Sequence, residues 1–278
     1  MQLQEKIIHL AKNPPQSPTA DFYSVFAEFL EALEAGEIRS AEKKDGEWQV
    51  NGWVKQGILL GFRYGKIQAF DTEGSLRFFD KHTYPTQNIK GVEKNIRIVP
   101  GGSSVRSGAF VGNNVTMMPP MYINSGAYVG DGTMIDSHAL VGSCAQVGKG
   151  VHLSAAAQLG GVLEPIGAVP VVVEDNCMIG GNTGVYEGTQ IGENAVIGAG
   201  VVLTRSTPVY DLVNETIYKG TKEQPLKIPA GAVVIPGSRS ISNHEFAQKH
   251  SLSVSTPIII KYRDDKTDES TTLEQLLR

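Results

Sequence analysis

Through the middle of this chain an apolar residue returns at every sixth position. From Val105 it recurs at Val111, Met117, Ile123, Val129, Ile135, Val141, Val147, Leu153 and Leu159. The phase slips by two residues across GGVLEPIGAVPVV and resumes at Val173, Ile179, Val185, Ile191, Ile197, Leu203 and Val209. A later pair, Ile228 and Val234, keeps the same spacing. The fifth position of each hexad is small or branched almost throughout, as at Ala109, Val115, Ala127, Thr133, Ala139, Ala145, Val151, Ala157, Cys177, Thr183, Thr189, Ala195, Val201 and Thr207. Both positions are expected to point inward.

A period of six is neither the 3.6 of a helix nor the alternation of a half-buried strand. It suits a parallel β-helix of triangular section, in which each hexad makes one side and one corner and three hexads close a coil. Coils of that kind stack at about 4.8 Å, the inter-strand spacing. Glycines at the corners supply positive φ.

The flanks read differently. DFYSVFAEFLEALEAG places Phe22, Val25, Phe26, Phe29, Leu30 and Leu33 at a helical period and stops at Gly36. EWQVNGWVKQGILLGFRYGKIQAF and SLRFFD mix short helix and strand. Residues 1–95 therefore read as a small α/β domain, 96–236 as the β-helix with a loop insertion near 164–172 (EPIGAVP), and 237–278 as a cap. That cap is expected to hold a polar loop (SRSISNHEFAQKHS), a strand (TPIIIKY) and a short helix (TTLEQLLR). An open β-helix leaves unpaired strand edges at both ends, which flanking segments of this kind cover.

Composition narrows the function classes. With 31 glycines and 7% aromatics in 278 residues, the chain is unlike a helical protein, and 41% hydrophobic content is too high for disorder. A net charge of −4 gives no reason to expect nucleic acid or an anionic membrane. MQLQEKIIHLAKN has no apolar core of signal-peptide length, and no apolar run is long enough to span a bilayer. A cytoplasmic protein is expected. Two cysteines, Cys144 and Cys177, make neither a disulfide framework nor a zinc spacing.

One hexad position carries candidate chemistry. After Val129, Val141 and Val147 the next residue is glycine, but after Ile135 it is Asp136, followed by Ser137 and His138. Arg106, Asn124 and Glu174 also occupy that slot, so pattern alone makes Asp136 a solvated carboxylate. His138 and His152 are the histidines of the repeat, too few to converge as the three ligands of a catalytic zinc.

Longer motifs add a resemblance. AEKKDGEW, then W-x-K, ILLGFR and RFFDK, precede GAYVGDGTMIDSHALVGSCAQVGKGVHLS, GGVLEP and EDNCMIG. Over almost the whole chain these resemble the tetrahydrodipicolinate N-succinyltransferase family of hexapeptide-repeat enzymes. The resemblance implies a left-handed β-helix and a homotrimer with sites between adjacent helices. It implies transfer of a succinyl group from succinyl-CoA, a co-substrate, to the amine of L-2-amino-6-oxopimelate in diaminopimelate and lysine biosynthesis. No metal and no permanently bound cofactor are implied, and the partners are small molecules.

Such a reaction needs a group to deprotonate an ammonium, donors for a developing oxyanion and cations for carboxylates. By resemblance, Asp136 in GTMID is the acceptor-binding, catalytic carboxylate. Arg97 in NIRIVPGG binds substrate, and Arg106 in VRSGAF matches a family arginine with a substrate role. The family's second glutamate falls on Gly184 here; either Glu187, matching another family glutamate and taken as the second catalytic candidate, assumes part of that role, or Asp136 works with water and backbone groups. The phosphates of coenzyme A need cations near the later coils, where Arg205 and Lys227 are chosen and Lys219 and Lys222 are also available. The alternatives are an acetyl-CoA-dependent N-acetyltransferase of the same or a related amine, a zinc lyase on the same helix, and a non-catalytic scaffold.

Overall fold

The computed structural model describes residues 2–70 and 77–263. Three helices open the chain: α1 (Leu3–Lys12), α2 (Ala20–Glu34) and α3 (Gly52–Tyr64). Thr19 starts α2, its hydroxyl accepting from the Phe22 amide at 3.2 Å, as an N-cap should. The expected apolar stripe is buried at Phe22, Val25, Phe26, Phe29 and Leu33, and Leu30 packs at its margin. α3 comes close to α2 because it lacks side chains where they meet. A Cβ on Gly57 would lie 2.5 Å from the Phe29 ring, and Gly61 faces Phe26 in the same way. Two short hairpins, Ala41–Lys44 with Glu47–Val50 and Ile67–Phe70 with Phe78–Lys81, complete this part.

Beyond it each hexad forms a two-residue strand, and the strands fall on three parallel sheets. Face 1 stacks 110–111, 128–129, 146–147, 172–173, 190–191 and 227–228. Face 2 stacks 97–98, 116–117, 134–135, 152–153, 178–179, 196–197 and the start of 232–240. Face 3 stacks 104–105, 122–123, 140–141, 158–159, 184–185 and 202–203. Tyr128 lies opposite both Phe110 and Gln146, one coil of 18 residues to either side. The second residue of every strand from Val105 to Leu203 is buried, as are the small fifth positions up to Val201, and they form one continuous core. The turn into face 2 carries a ladder of positive φ at Asn114, Gly132, Gly150, Asn176, Asn194 and Gly231, which is why Gly and Asn recur there.

The chain leaves this frame twice. Gln146 pairs with Val172, 26 residues on instead of 18. The first excursion, residues 160–171, therefore adds eight residues, seen in the sequence as a slip of two. Gln190 pairs with Lys227, 37 residues on, so residues 204–226 form a second and longer excursion. Val209 was expected as a further rung. Instead it begins the hairpin Val209–Asp211 with Thr216–Tyr218, although its side chain stays in the core. The pair Ile228 and Val234 closes the last coil, as the spacing implied.

The cap also differs from expectation. The strand Ala232–Ser240 runs straight on past Val234 and pairs antiparallel with Ser253–Tyr262, so Ser238–Ser240 are strand and not loop. The partner strand supplies the ladder bonds that a loop would lack. A short helix, Glu245–Lys249, bridges the two. The helix expected at TTLEQLLR lies outside the described residues. Among the described residues no helix is long and apolar enough to cross a membrane.

Leu153 is fully buried in the centre of the stack. Leu153→Ala is expected to lower the unfolding free energy by about 2–5 kcal/mol through lost burial and a residual cavity, measured by chemical denaturation.

Candidate active site

Each corner recurs at a fixed hexad position, so the corners stack into three continuous edges. Asp136 lies on the edge where face 2 turns into face 3. It is half-buried, and its Oδ1 accepts from the Ser137 amide at 2.7 Å. Its Oδ2 has no hydrogen bond among the described residues. Ser137 and His138 complete the corner. His138 is exposed with φ 63°, the corner conformation that glycine or asparagine adopts elsewhere. His152 follows on face 2, in register with Met134. Arg97 is exposed on the first rung of face 2, two rungs below Met134.

Both excursions leave from another edge, the one joining face 3 to face 1. Between them lies a cavity of about 530 Å³, lined by Gly160, Gly161, Tyr186, Glu187, Arg205 and Lys222 among others. Glu187 stands exposed at the corner with φ 55°. Its Oε2 accepts from the Arg205 amide at 3.1 Å, and Arg205 Nη1 donates to the Lys222 carbonyl at 3.3 Å. The structure thus brings Glu187, Arg205 and Lys222 together. Asp136 stands apart from them. The two carboxylates border face 3 from opposite edges and sit two coils apart, roughly 10 Å along the axis.

Other candidates are engaged elsewhere. The Arg106 guanidinium is bound by Asp80, its Nε reaches the Tyr84 carbonyl at 3.4 Å, and it lies 5.3 Å from the Phe62 ring. Its position is that of a strut between the N-terminal helices and the first coil. Lys227 lies on face 1, paired with Glu47 of the first hairpin, and does not line the cavity. Lys219 is exposed just after the hairpin Val209–Asp211 with Thr216–Tyr218, away from the first hairpin that Lys227 meets.

Glu174, another exception to glycine in the second hexad slot, anchors the same hairpin. It accepts from Lys43 Nζ at 2.7 Å and Trp48 Nε1 at 2.8 Å. Burial alone would raise its pKa, but these hydrogen bonds hold it below the ordinary carboxylate value. Arg39 packs 3.6 Å from the centre of the Tyr128 ring and donates to Gln146 Oε1 at 2.9 Å.

The sequence pattern did not single out two residues that shape the cavity, one from behind its wall and one lining it. Lys55 is fully buried, and its Nζ donates to the Ala168 carbonyl at 2.5 Å, tying α3 to the first excursion. Desolvation pulls its pKa below the usual lysine value. Only the W-x-K motif hinted at it. Tyr186 occupies a corner slot that glycine fills in many hexads, and Gly184 stands two residues before it. That small-then-bulky pair was the available signal. Among the described residues no group of three or more His, Cys, Asp or Glu is placed to hold a metal ion.

A stack of hexapeptide coils with excursions walling one edge defines the chain as a hexapeptide-repeat protein. Residues 170–205 match a family model described as "Hexapeptide repeat of succinyl-transferase", and residues 3–64 match "Tetrahydrodipicolinate N-succinyltransferase N-terminal". The 2,3,4,5-tetrahydropyridine-2,6-dicarboxylate N-succinyltransferase of Polynucleobacter asymbioticus is 43% identical over 268 residues, covering 95% of this chain and 92% of that one. The enzyme of the same name from Azoarcus sp. is 41% identical over 289 residues, covering 100% and 99%. The chain belongs to the 2,3,4,5-tetrahydropyridine-2,6-dicarboxylate N-succinyltransferase family. A crystal structure of a protein from Campylobacter jejuni superposes with a TM-score of 0.53 at 20% identity. The match covers 88% of this chain and 64% of that one, and it supports the fold, a left-handed parallel β-helix.

Burial raises the thiol pKa of both Cys144 and Cys177 to about 12. At pH 8 roughly one thiol in ten thousand is ionised at such a value, and the thiolate is the nucleophile. Iodoacetamide at pH 8 is expected to leave both cysteines unmodified in the native protein and to alkylate both in denaturant, as read by mass spectrometry.

Proposed function

We propose that the protein is a succinyl-CoA-dependent N-succinyltransferase acting on L-2-amino-6-oxopimelate, the hydrated form of tetrahydrodipicolinate, in diaminopimelate and lysine biosynthesis. The observation that carries this reading is 43% identity, at nearly full length, to an enzyme named for that activity. Acyl-CoA is a co-substrate and not a resident cofactor. A biosynthetic role on soluble small molecules goes with a cytoplasmic location.

The chemistry follows from the groups present. The acceptor's ammonium gives a proton to the Asp136 carboxylate, whose Oδ2 is open to it. The freed amine attacks the thioester carbonyl, and the tetrahedral intermediate collapses to the amide as the C–S bond breaks; the nitrogen's second proton passes to the departing coenzyme thiolate, while the first stays on Asp136 until solvent takes it. Arg97 holds an acceptor carboxylate. Arg205 and Lys222, on the second excursion, meet the coenzyme phosphates, a role less suited to Lys227 because it is already paired with Glu47. Glu187 orders this corner through the Arg205 amide and lies three residues along the chain from Gly184.

We take the working unit to be a homotrimer. Asp136 and Glu187 border one face from opposite edges, so a substrate meeting both would lie across that face, walled by a neighbouring copy.

The direct test is thiol release from succinyl-CoA and acetyl-CoA with 2-amino-6-oxopimelate as acceptor. Succinyl-CoA should be preferred, and Asp136→Asn should lower kcat by about 10²–10⁴, the usual contribution of a positioned base. Preference for acetyl-CoA would reassign the donor, and no release with either would overturn the reading. Arg205→Ala with Lys222→Ala should raise KM for the acyl-CoA roughly tenfold or more, since charge-assisted contacts to phosphate are lost, with a smaller change in acceptor KM.

A further inference from the structure

Tyr186 is seated in a way that no structural need explains. It occupies the first corner position after face 3, and its ring folds back over that face. A Cβ on Gly184 would lie 2.5 Å from its Cε2 and 3.0 Å from its hydroxyl oxygen. A Cβ on Gly160, one coil below, would lie 2.7 Å from its Cδ1. Two glycines on successive coils thus make a slot for one aromatic ring. The outward positions on the rungs to either side of Gly184 are Gln158 and Val202, so the ring lies over a bare patch of the face.

A ring placed there for packing alone could be phenylalanine. The tyrosine hydroxyl has no hydrogen-bond partner in the protein among the described residues, and Tyr186 is only half-buried. It lines the 530 Å³ cavity beside Glu187 and Arg205. Its hydroxyl stands over Gly184, on face 3. A phenol with one donor and no protein partner, fixed in a polar cavity, is suited to an oxygen atom of a bound substrate.

We propose that Tyr186 is a substrate-contacting residue of the acyl-transfer site, its hydroxyl donating a hydrogen bond to a carbonyl or carboxylate oxygen of the bound substrates. The inference rests on the acyl-transfer reading above. It assigns the polar contact over the Gly184 patch to a side chain two residues away, delivered there by the glycine slot. Donation to the thioester oxygen, which gains charge in the transition state, would act on kcat. Donation to an acceptor carboxylate would act on KM.

The test is Tyr186→Phe in the full-length protein, which keeps the ring in its slot and removes only the hydroxyl. With succinyl-CoA and 2-amino-6-oxopimelate, kcat/KM should fall roughly tenfold or more, the usual effect of one lost hydrogen bond, while the melting temperature stays near that of the wild type. Gly184→Ala should lower kcat/KM by displacing the ring, and it should cost little further in a Tyr186→Phe background, because the displaced group no longer contributes. A Tyr186→Phe enzyme with kcat/KM within twofold of a fully active wild type would overturn the proposal and leave the acyl-transfer reading standing. A wild type that releases no thiol from either donor would instead overturn that reading.

Discussion

Everything in this molecule depends on coil closure. Each rung gives its amide hydrogens to carbonyls one coil away, as Tyr128 does to Ala145 and Gly130 does to Val147, both at 2.9 Å. That ladder holds only if every coil has the same perimeter. The same perimeter requires one inward apolar residue and one small residue per side. Corners are then forced into line and become edges, and added residues can leave only at an edge. Two excursions leave at the same edge, so they face each other, and the cavity between them follows from the repeat.

The N-terminal domain is fastened to this frame by polar contacts as well as apolar ones. Glu174 takes Lys43 and Trp48, Arg39 lies on Tyr128 and bonds Gln146, and Arg106 meets Asp80. Exposed pairs of this kind are individually weak, but the half-buried ones are screened less and fix orientation. Lys55 matters differently. A buried ammonium is costly unless it is bonded, and its bond goes to the excursion that walls the cavity. The small domain thereby sets the shape of the site without lining it.

The two carboxylates show how a repeat separates side chains that share a face. Asp136 and Glu187 occupy different corners, and the same face lies between them. Tyr186 crosses part of that face, and Arg97 stands on the neighbouring one.

Much of this was legible in the order of residues. The hexad from Val105 to Leu203 determined the sheets, the inward positions and the corners, because a period of six admits one closed geometry. The α2 stripe was legible for the same kind of reason. The motif GTMID marked Asp136 only through resemblance, since its slot also holds the structural Glu174 and Arg106. What periodicity could not supply was partnership between residues far apart in the chain. The engagement of Arg106 by Asp80 and of Lys227 by Glu47, the excursion of Val209 away from its rung, and the extension of the last strand through Ser240 all depend on neighbours 26 residues or more away, or on a second strand. The seat of Tyr186 belongs with them, because a slot made by Gly160 and Gly184 exists only once the coils are stacked. Local pattern is set by the chain's own backbone geometry, whereas these contacts are chosen by what the closed coils bring alongside.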